Sequence, residues 1–469
     1  MMSKPDQSAT TPFSSRAAAR WRPLALATSV ALLSLAGWTH ASAESLVDLY
    51  QAAKSYDAAY LSAKAQAESV QYQVEQAYAL QRPSLGLKGT ITRSHFDGDA
   101  EPQGYAALAY GSSYNTSTTS KSAALAGKMP LLNKADSAKV AQAEQSLIAA
   151  QADLNLAEND LAARLSQAYF DVLAAQDVLN TTQANKKALA EQLASAKRNF
   201  EVGNATITDT REAQARFDLA SAQEIAATND LRVKRIALDQ LVGRTDVKPS
   251  PLQTPVNLDT LAPGQMDDWV AQTGNAPAVR KAEVGLKVAQ LEIDKAKAGN
   301  WPTLDAVANL QRNKIDSSSQ TAVAGSGTTA AIGLELNLPL YAGGAIQNRI
   351  KEVLVLSDKA ERDVDNAKRS VALATRQAFS GVQSGLAQVK AYEAAEASAK
   401  LALEATQLGY RVGVRINKDV LDAQTQLTAT QKDLYKARYD VIVGSIKLKQ
   451  AAGTLKPDDL VELNKLVAN

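Results

Sequence analysis

The stretch Phe200-Glu-Val-Gly-Asn-Ala-Thr-Ile-Thr-Asp-Thr-Arg-Glu-Ala-Gln214 decides how this chain is read. A long helical pattern runs into it and another runs out. Gly203 is the first glycine after Gly127, and it stands where a helix C-terminus needs a residue tolerant of positive φ. Thr206 and Thr208 can cap the next helix, and Asp209 suits its positive N-terminus. The stretch therefore predicts a tight turn between two long antiparallel helices. It returns 210 residues later as Tyr410-Arg-Val-Gly-Val-Arg-Ile-Asn-Lys-Asp-Val-Leu-Asp-Ala-Gln424. Val202-Gly203 matches Val412-Gly413, Asp209 matches Asp419, and Ala213-Gln214 matches Ala423-Gln424. The register holds without a gap from Gln167 and Gln377 to Gly243 and Gly453. The chain is an internal duplication.

Working outward, each half carries the same elements. In the first repeat, 44–248, a helix runs from Leu46 to Gln81 and ends at Arg82-Pro83. A hairpin follows over 84–131. Leu85, Leu87, Gly89 and Ile91 alternate with Gly86, Lys88, Thr90 and Thr92, and Ala123, Leu125, Gly127, Met129 and Leu131 alternate with Ala124, Ala126 and Lys128. Residues 96–119 read as a polar loop. A long helix covers 134–202, with leucine and alanine every seven residues at Leu147, Leu154, Leu161, Ala168 and Ala175, and a second seam at Leu165, Val172 and Leu179. Sustained heptads rich in alanine predict closely packed coiled-coil helices. The tip occupies 203–208 and the next helix 209–242. The proline-rich segment 249–265 connects the halves. The second repeat, 266–456, has a helix, a hairpin over 302–340 with a polar loop at 313–329, a long helix over 343–412, a tip at 413–417 and a helix over 418–452. Residues 457–469 read as a C-terminal tail. Two half-length helices stacked end to end would match one full-length partner.

Composition narrows the classes of function. The 469 residues contain no cysteine and two histidines, His40 and His95. No disulfide or thiolate metal site can form. Residues 1–43 read as a secretory signal. Arg16, Arg20 and Arg22 precede the apolar run Leu24 to Leu35, and Ala41-Ser42-Ala43 offers an A-x-A cleavage site. Without that segment, 47 basic and 48 acidic residues remain, so the charge balance gives no footprint for nucleic acid. A phosphate-binding loop and a nucleophile elbow are both missing, which argues against an enzyme, and no cofactor is implied.

About ten alternating residues suffice for a tilted strand to cross a bilayer, and only a closed barrel is tolerated there. Four strands cannot close one, so several chains would have to share it. The alternation alone is equally compatible with a soluble four-stranded sheet capping a coiled coil. The signal segment, the absence of cysteine and the polar loops favour an outer membrane.

Further residues carry a resemblance. They are Glu-Ser-Leu-Val-Asp-Leu-Tyr from Glu44, Gln-Arg-Pro-Ser-Leu and Trp-Pro-Thr-Leu before strands, and Leu-Pro-Leu-Tyr-Ala-Gly-Gly at 338–344. Together with the duplicated Val-Gly tips, they make the chain resemble the TolC family of outer-membrane efflux channels. The resemblance implies an α+β membrane protein: a homotrimer with a 12-stranded transmembrane β-barrel, four strands per chain, continuous with a 12-helix periplasmic α-barrel. It implies passive conduction in drug efflux or type I secretion. The partners would be a periplasmic adaptor, an inner-membrane pump of the RND, ABC or MFS type, and the lipid bilayer of a Gram-negative outer membrane.

The resemblance also assigns roles at the tips. Thr208, Asp209, Tyr410 and Arg415 match positions where family members tie the entrance helices together. Asp419 and Asp422, three apart on one helix face, match carboxylates that ring the lumen and attract cations. Val202, Gly203, Val412 and Gly413 match the adaptor contact. Glu212 departs from the pattern: it stands opposite Asp422 in the repeat, where the best-known member has no acid. The departure predicts a more acidic mouth and stronger block by multivalent cations. Two other readings of the helices remain, a periplasmic adaptor and a coiled-coil adhesin. An adaptor would carry one hairpin and a separate β-rich body, and an adhesin would not need the duplicated tips.

Overall fold

The computed structural model describes residues 44–99, 113–253, 256, 258, 264–317 and 324–467. The expected secretory segment lies outside them. Helices α1 (Leu46–Tyr56) and α2 (Ala58–Ala79) precede strands β1 (Ser84–Asp99) and β2 (Ser113–Leu132). The 68-residue helix α3 (Lys134–Glu201) and α4 (Ile207–Val242) complete the first half. The second half contains α5 (Met266–Gln272), a 3-10 turn, α6 (Pro277–Ala298), β3 (Thr303–Ser317) and β4 (Gly325–Asn337). It ends with the 67-residue α7 (Ala345–Arg411), α8 (Asn417–Ala452) and a terminal α9 (Pro457–Asn464). At 1.5 Å per residue, α3 and α7 are each about 100 Å long.

The helices lie side by side as four rods. α3 packs against α2 and α4 on one flank and against α6 and α8 on the other, and α7 packs against α6 and α8. Two of the rods are composite. α4 ends on Gly243 at φ 72°, where an added Cβ would lie 2.4 Å from the Tyr56 ring at the end of α1. α8 ends on Gly453, also at φ 72°, where a Cβ would lie 2.4 Å from Ala276 Cα and 3.1 Å from Pro277 Cδ at the start of α6. Each half-length helix therefore abuts the next one end to end, with a glycine where a side chain would strike the Tyr56 ring or the Ala276 backbone.

The main core lies at the level of these junctions. Leu46, Leu49 and Tyr50 of α1 pack with Leu161, Leu165, Tyr169 and Phe170 of α3, with Ile442 and Ile446 of α8, and with Leu460 and Leu463 of α9. The connector and both ends of the described segment are fastened around it. Tyr169 Oη donates to Ser250 O at 3.2 Å, Glu44 N donates to Lys248 O at 2.9 Å, and Leu46 N donates to Asn464 Oδ1 at 3.1 Å.

Three local features differ from the sequence reading. The first helix is divided at Asp57, whose extended backbone ends α1 while its Oδ1 accepts Tyr60 N at 2.8 Å to start α2. Arg164 of α3 grips both Asp57 oxygens at 3.1 Å. The segment 457–469 is no tail up to Asn464 but a helix with Pro457 in its first turn, a position where proline's missing N–H costs nothing. The strands also run well into the expected polar loops, leaving 100–112 and 318–323 outside the described residues. Their threonines and serines pair across the hairpin, as Thr92 with Ser120 and Ser94 with Thr118.

The strands form one antiparallel sheet in the order β1-β2-β3-β4. Its register places Leu85, Gly127, Ala308 and Ile332 in one cross-strand row, and Leu87, Leu125, Leu310 and Ala330 in the next. Pro130 lacks an N–H for the ladder, and the register shifts there so that Leu132, not Leu131, meets Leu304. One face is thus apolar and exposed, with Leu87 at 79% and Ile332 at 89%. The opposite face carries Lys88, Gln311, Asn309, Asp305 and Glu335. Among the described residues, no helix is long and apolar enough to cross a membrane.

Candidate functional site at the helix tips

Both tips are built the same way. α3 ends in Val202, and Gly203 follows at φ 76°; Gly203 N donates to Phe200 O at 3.0 Å and Asn204 N to Asn199 O at 2.7 Å. At the other tip Gly413 has φ 78°, its N donates to Tyr410 O at 3.1 Å, and Val414 N donates to Gly409 O at 2.9 Å. These are paired Schellman bonds, which satisfy the last helix carbonyls and reverse the chain. No other atom lies within 4 Å of an added Cβ at either glycine. Val202 and Val412 are exposed at 68% and 65%, so the outermost surface is apolar and open.

The two starts after the tips differ. Thr206 caps α4 in a reciprocal box: Asp209 N donates to Thr206 Oγ1 at 3.2 Å, while Asp209 Oδ2 accepts from Thr206 N at 3.0 Å and Thr206 Oγ1 at 2.7 Å. α8 has Ile416 at the same place and no side-chain cap. Beside it Asn417 is 4% exposed, and its Nδ2 is buried with no partner among the described residues.

Of the four residues assigned to tying the entrance, Thr208 is exposed and Asp209 is occupied by the capping box. Tyr410 Oη accepts from Asn199 Nδ2 at 3.2 Å, which joins the end of α7 to the end of α3. Arg415 reaches Asp419 one turn on at 3.7 Å and lies across Gly409. Among the described residues of one chain, Tyr410 and Arg415 make no bond to Thr208 or Asp209. Asp422 is held by Arg216 of α4 at 2.7 Å and by Lys418 of its own helix. The Lys418 ammonium, aided by Arg216, keeps the Asp422 carboxyl below the usual carboxylate range. Glu212 adds to the field at Lys418. The carboxylates at 212 and 422 are therefore accompanied by two cations.

Above the tips, polar groups bridge the two hairpins. Asn185 Oδ1 on α3 accepts from Thr428 Oγ1 at 3.0 Å and Gln424 Nε2 at 3.3 Å on α8. Higher still, Tyr439 Oη donates to Asp177 Oδ2 at 2.6 Å, and burial raises that carboxyl. Sequence reasoning missed Asn185, Asn199 and Arg216. Their only signal is a polar residue on a helix, and which partner it meets depends on how the two repeats face each other. Lys418 was readable, being four residues before Asp422 on one face.

This geometry joins an apolar-faced sheet to long helical rods with weakly tied tips. Comparison with known proteins agrees with it. The family model described as outer membrane efflux protein matches residues 49–244 and 272–454. The chain is 33% identical to outer membrane protein TolC of Vibrio cholerae, over 94% of this chain and 97% of that protein. It is 30% identical to the proteases secretion protein PrtF of Dickeya chrysanthemi, over 72% of this chain and 73% of that one. The solved structure of CusC superposes with a TM-score of 0.74 at 19% identity, covering 88% of this chain and 92% of that one.

Proposed function

The chain belongs to the outer membrane efflux protein family, and on that premise we propose that three copies assemble into one gated duct. The family is one of channels rather than enzymes. The chain is an exit duct of the Gram-negative outer membrane, serving efflux and type I secretion. The observation that carries the trimer is the open sheet. β1 and β4 each present an unpaired edge beside an apolar face, which a bilayer does not tolerate. Three copies supply twelve strands, enough to close a barrel. The rods have matching open edges: Leu219, Ile225, Val233 and Ile236 on α4, and Leu356, Leu373, Leu401 and Leu408 on α7, are exposed. Four rods per chain give twelve around a continuous tube.

The gate in this reading is the ring of tips. Tyr410 and Arg415 act there with Thr208 and Asp209 of adjoining hairpins, and Asp419, Asp422 and Glu212 set the charge of the mouth. The exposed Val202-Gly203 and Val412-Gly413 surfaces receive a periplasmic adaptor, which couples the duct to an inner-membrane pump. Exposed polar ties are worth about 1 kcal/mol or less each, which suits a reversible closure.

Single-channel conductance of the mature protein in a planar bilayer tests this. We expect a small, cation-selective conductance that rises in Tyr410→Phe/Arg415→Ser. Conductance indifferent to the two changes would move the gate away from these residues. No conductance from folded trimers would refute the duct.

A further inference from the structure

We propose that the outer end of the barrel binds the phosphate groups of the outer-leaflet glycolipid through a basic band on its lipid-facing side. The inference rests on the trimeric barrel and on the sheet register. On the apolar face, successive rows along β3 carry Leu304, Ala306, Ala308 and Leu310, and then Arg312 and Lys314. Arg312 shares its row with Gly89, Ala123 and Thr328. The next row joins Ile91, Lys121, Lys314 and Ser326, and the one beyond it joins Arg93, Thr119 and Asp316. Four cations and one acid therefore stand on one face over three rows. The other face at this height offers Thr90, Ser122, Asn313, Thr92 and Ser120, which are neutral.

The height decides what the band meets. From Leu304 to Lys314 is ten residues, about 34 Å of strand at 3.4 Å per residue. A strand tilt near 40° reduces this to about 26 Å, and the apolar band of such barrels is about 25 Å tall. Lys121 and Lys314 thus lie at the headgroup level of the leaflet farther from the helices, which is the outer one. Arg312 sits a row lower and can extend its head upward along its apolar stem.

The charge arrangement calls for an anion. Lys121 and Lys314 are directly opposite one another on neighbouring strands, and like charges so placed repel. Their shared relief is Asp316, 3.6 Å from each ammonium. Both lysines are about half exposed, at 51% and 60%. At the inner end of the sheet the cations are matched: Lys134 lies over the Trp301 ring at 2.9 Å, and Arg82 pairs with Glu75 at 3.3 Å. Among the described residues of this face the basic surplus lies in these three rows, with Asp97 the next acid farther out along β1, and the lipid of that leaflet is a phosphorylated glycolipid. Three chains repeat the band around the barrel.

Native mass spectrometry of purified trimers tests the proposal with three probes: a bis-phosphorylated glucosamine glycolipid, its dephosphorylated form and phosphatidylglycerol. We expect the wild type to bind the first at least about ten-fold more tightly than either other lipid. Lys121→Gln/Arg312→Gln/Lys314→Gln should lose that preference to within about two-fold, and Lys121→Arg/Lys314→Arg should keep it. Equal binding of the dephosphorylated form, or a triple variant with undiminished preference, overturns the proposal. Phosphatidylglycerol binding as tightly overturns the assignment to the glycolipid. If the triple variant does not assemble, the wild-type comparison and the arginine variant still decide. Wild-type protein that forms no trimers would instead refute the barrel itself.

Discussion

Replacing Gly453 with alanine tests the end-to-end junction at its tightest point. Two effects add. A non-glycine residue at φ 72° costs about 1 kcal/mol. The new Cβ would also stand 2.4 Å from Ala276 Cα, 2.7 Å from Ala276 Cβ and 3.1 Å from Pro277 Cδ. Backbone and ring atoms have no rotamer to escape into, so α8 and α6 must separate, at about 1–3 kcal/mol for an overpacked contact. The expected loss is about 3 kcal/mol per chain. Gly413→Ala has the same backbone term, since φ is 78°, but nothing within 4 Å, so about 1 kcal/mol is expected. Gly243→Ala falls between them, because the Tyr56 ring that it meets is 57% exposed and can turn aside. Urea unfolding midpoints of the three variants give the ranking directly. Equal losses for Gly453→Ala and Gly413→Ala would refute the close abutment of the composite rod.

Other outcomes follow from the same contacts. Arg216→Gln removes one of the two cations on Asp422, so the mouth becomes more negative; conductance block by multivalent cations should deepen, and unchanged block would place Asp422 outside the ion path. Asp57→Asn keeps an acceptor for Tyr60 N but loses the ion pair with Arg164, at about 1.5 kcal/mol. The Asp57 carboxyl is held low mainly by Arg164, so its contribution is complete above the unfolded value near 3.9 and is lost as pH falls through the lower folded value. The stability difference between wild type and Asp57→Asn should therefore shrink below about pH 4, and a difference that grows in acid would contradict the assignment. Gly413→Phe should abolish drug efflux in cells while heat-resistant trimers persist, because the space around Gly413 is open; intact efflux would remove the tip from the adaptor surface.

The fold class was legible because its signals are local and repeated. Alternation in Ile332, Leu334 and Leu336, heptads through Leu161 and Leu165, and the duplicated Val-Gly pairs each report on a backbone conformation. The division at Asp57 was not legible. No proline or glycine lies between Leu46 and Gln81, and the break is held by Arg164, 107 residues away. The final helix reads as a tail although Pro457 stands ahead of Asp458 and Asp459, because the burial of Leu460 and Leu463 that gives it a reason to fold is not visible in the sequence. At the tips the residue types were readable and their partners were not. Tyr410 meets Asn199, and Asp422 meets Arg216, because α8 packs against α3, α4 and α7 there and brings the two hairpins together. Pairing across repeats depends on packing that no single helix encodes.

The unequal caps give the duplicated hairpins unequal mechanics. A side-chain cap is worth about 1 kcal/mol, so the first turn of α8 should unwind roughly five times as often as that of α4. The unpartnered Asn417 amide lowers the cost of that unwinding further, since leaving its buried site lets water satisfy it. The second hairpin is then the one whose return helix frays more readily at its tip. Duplication supplied two hairpins of one design, and the changes Thr206 to Ile416 and Ile207 to Asn417 between the matched positions leave the second with the looser start.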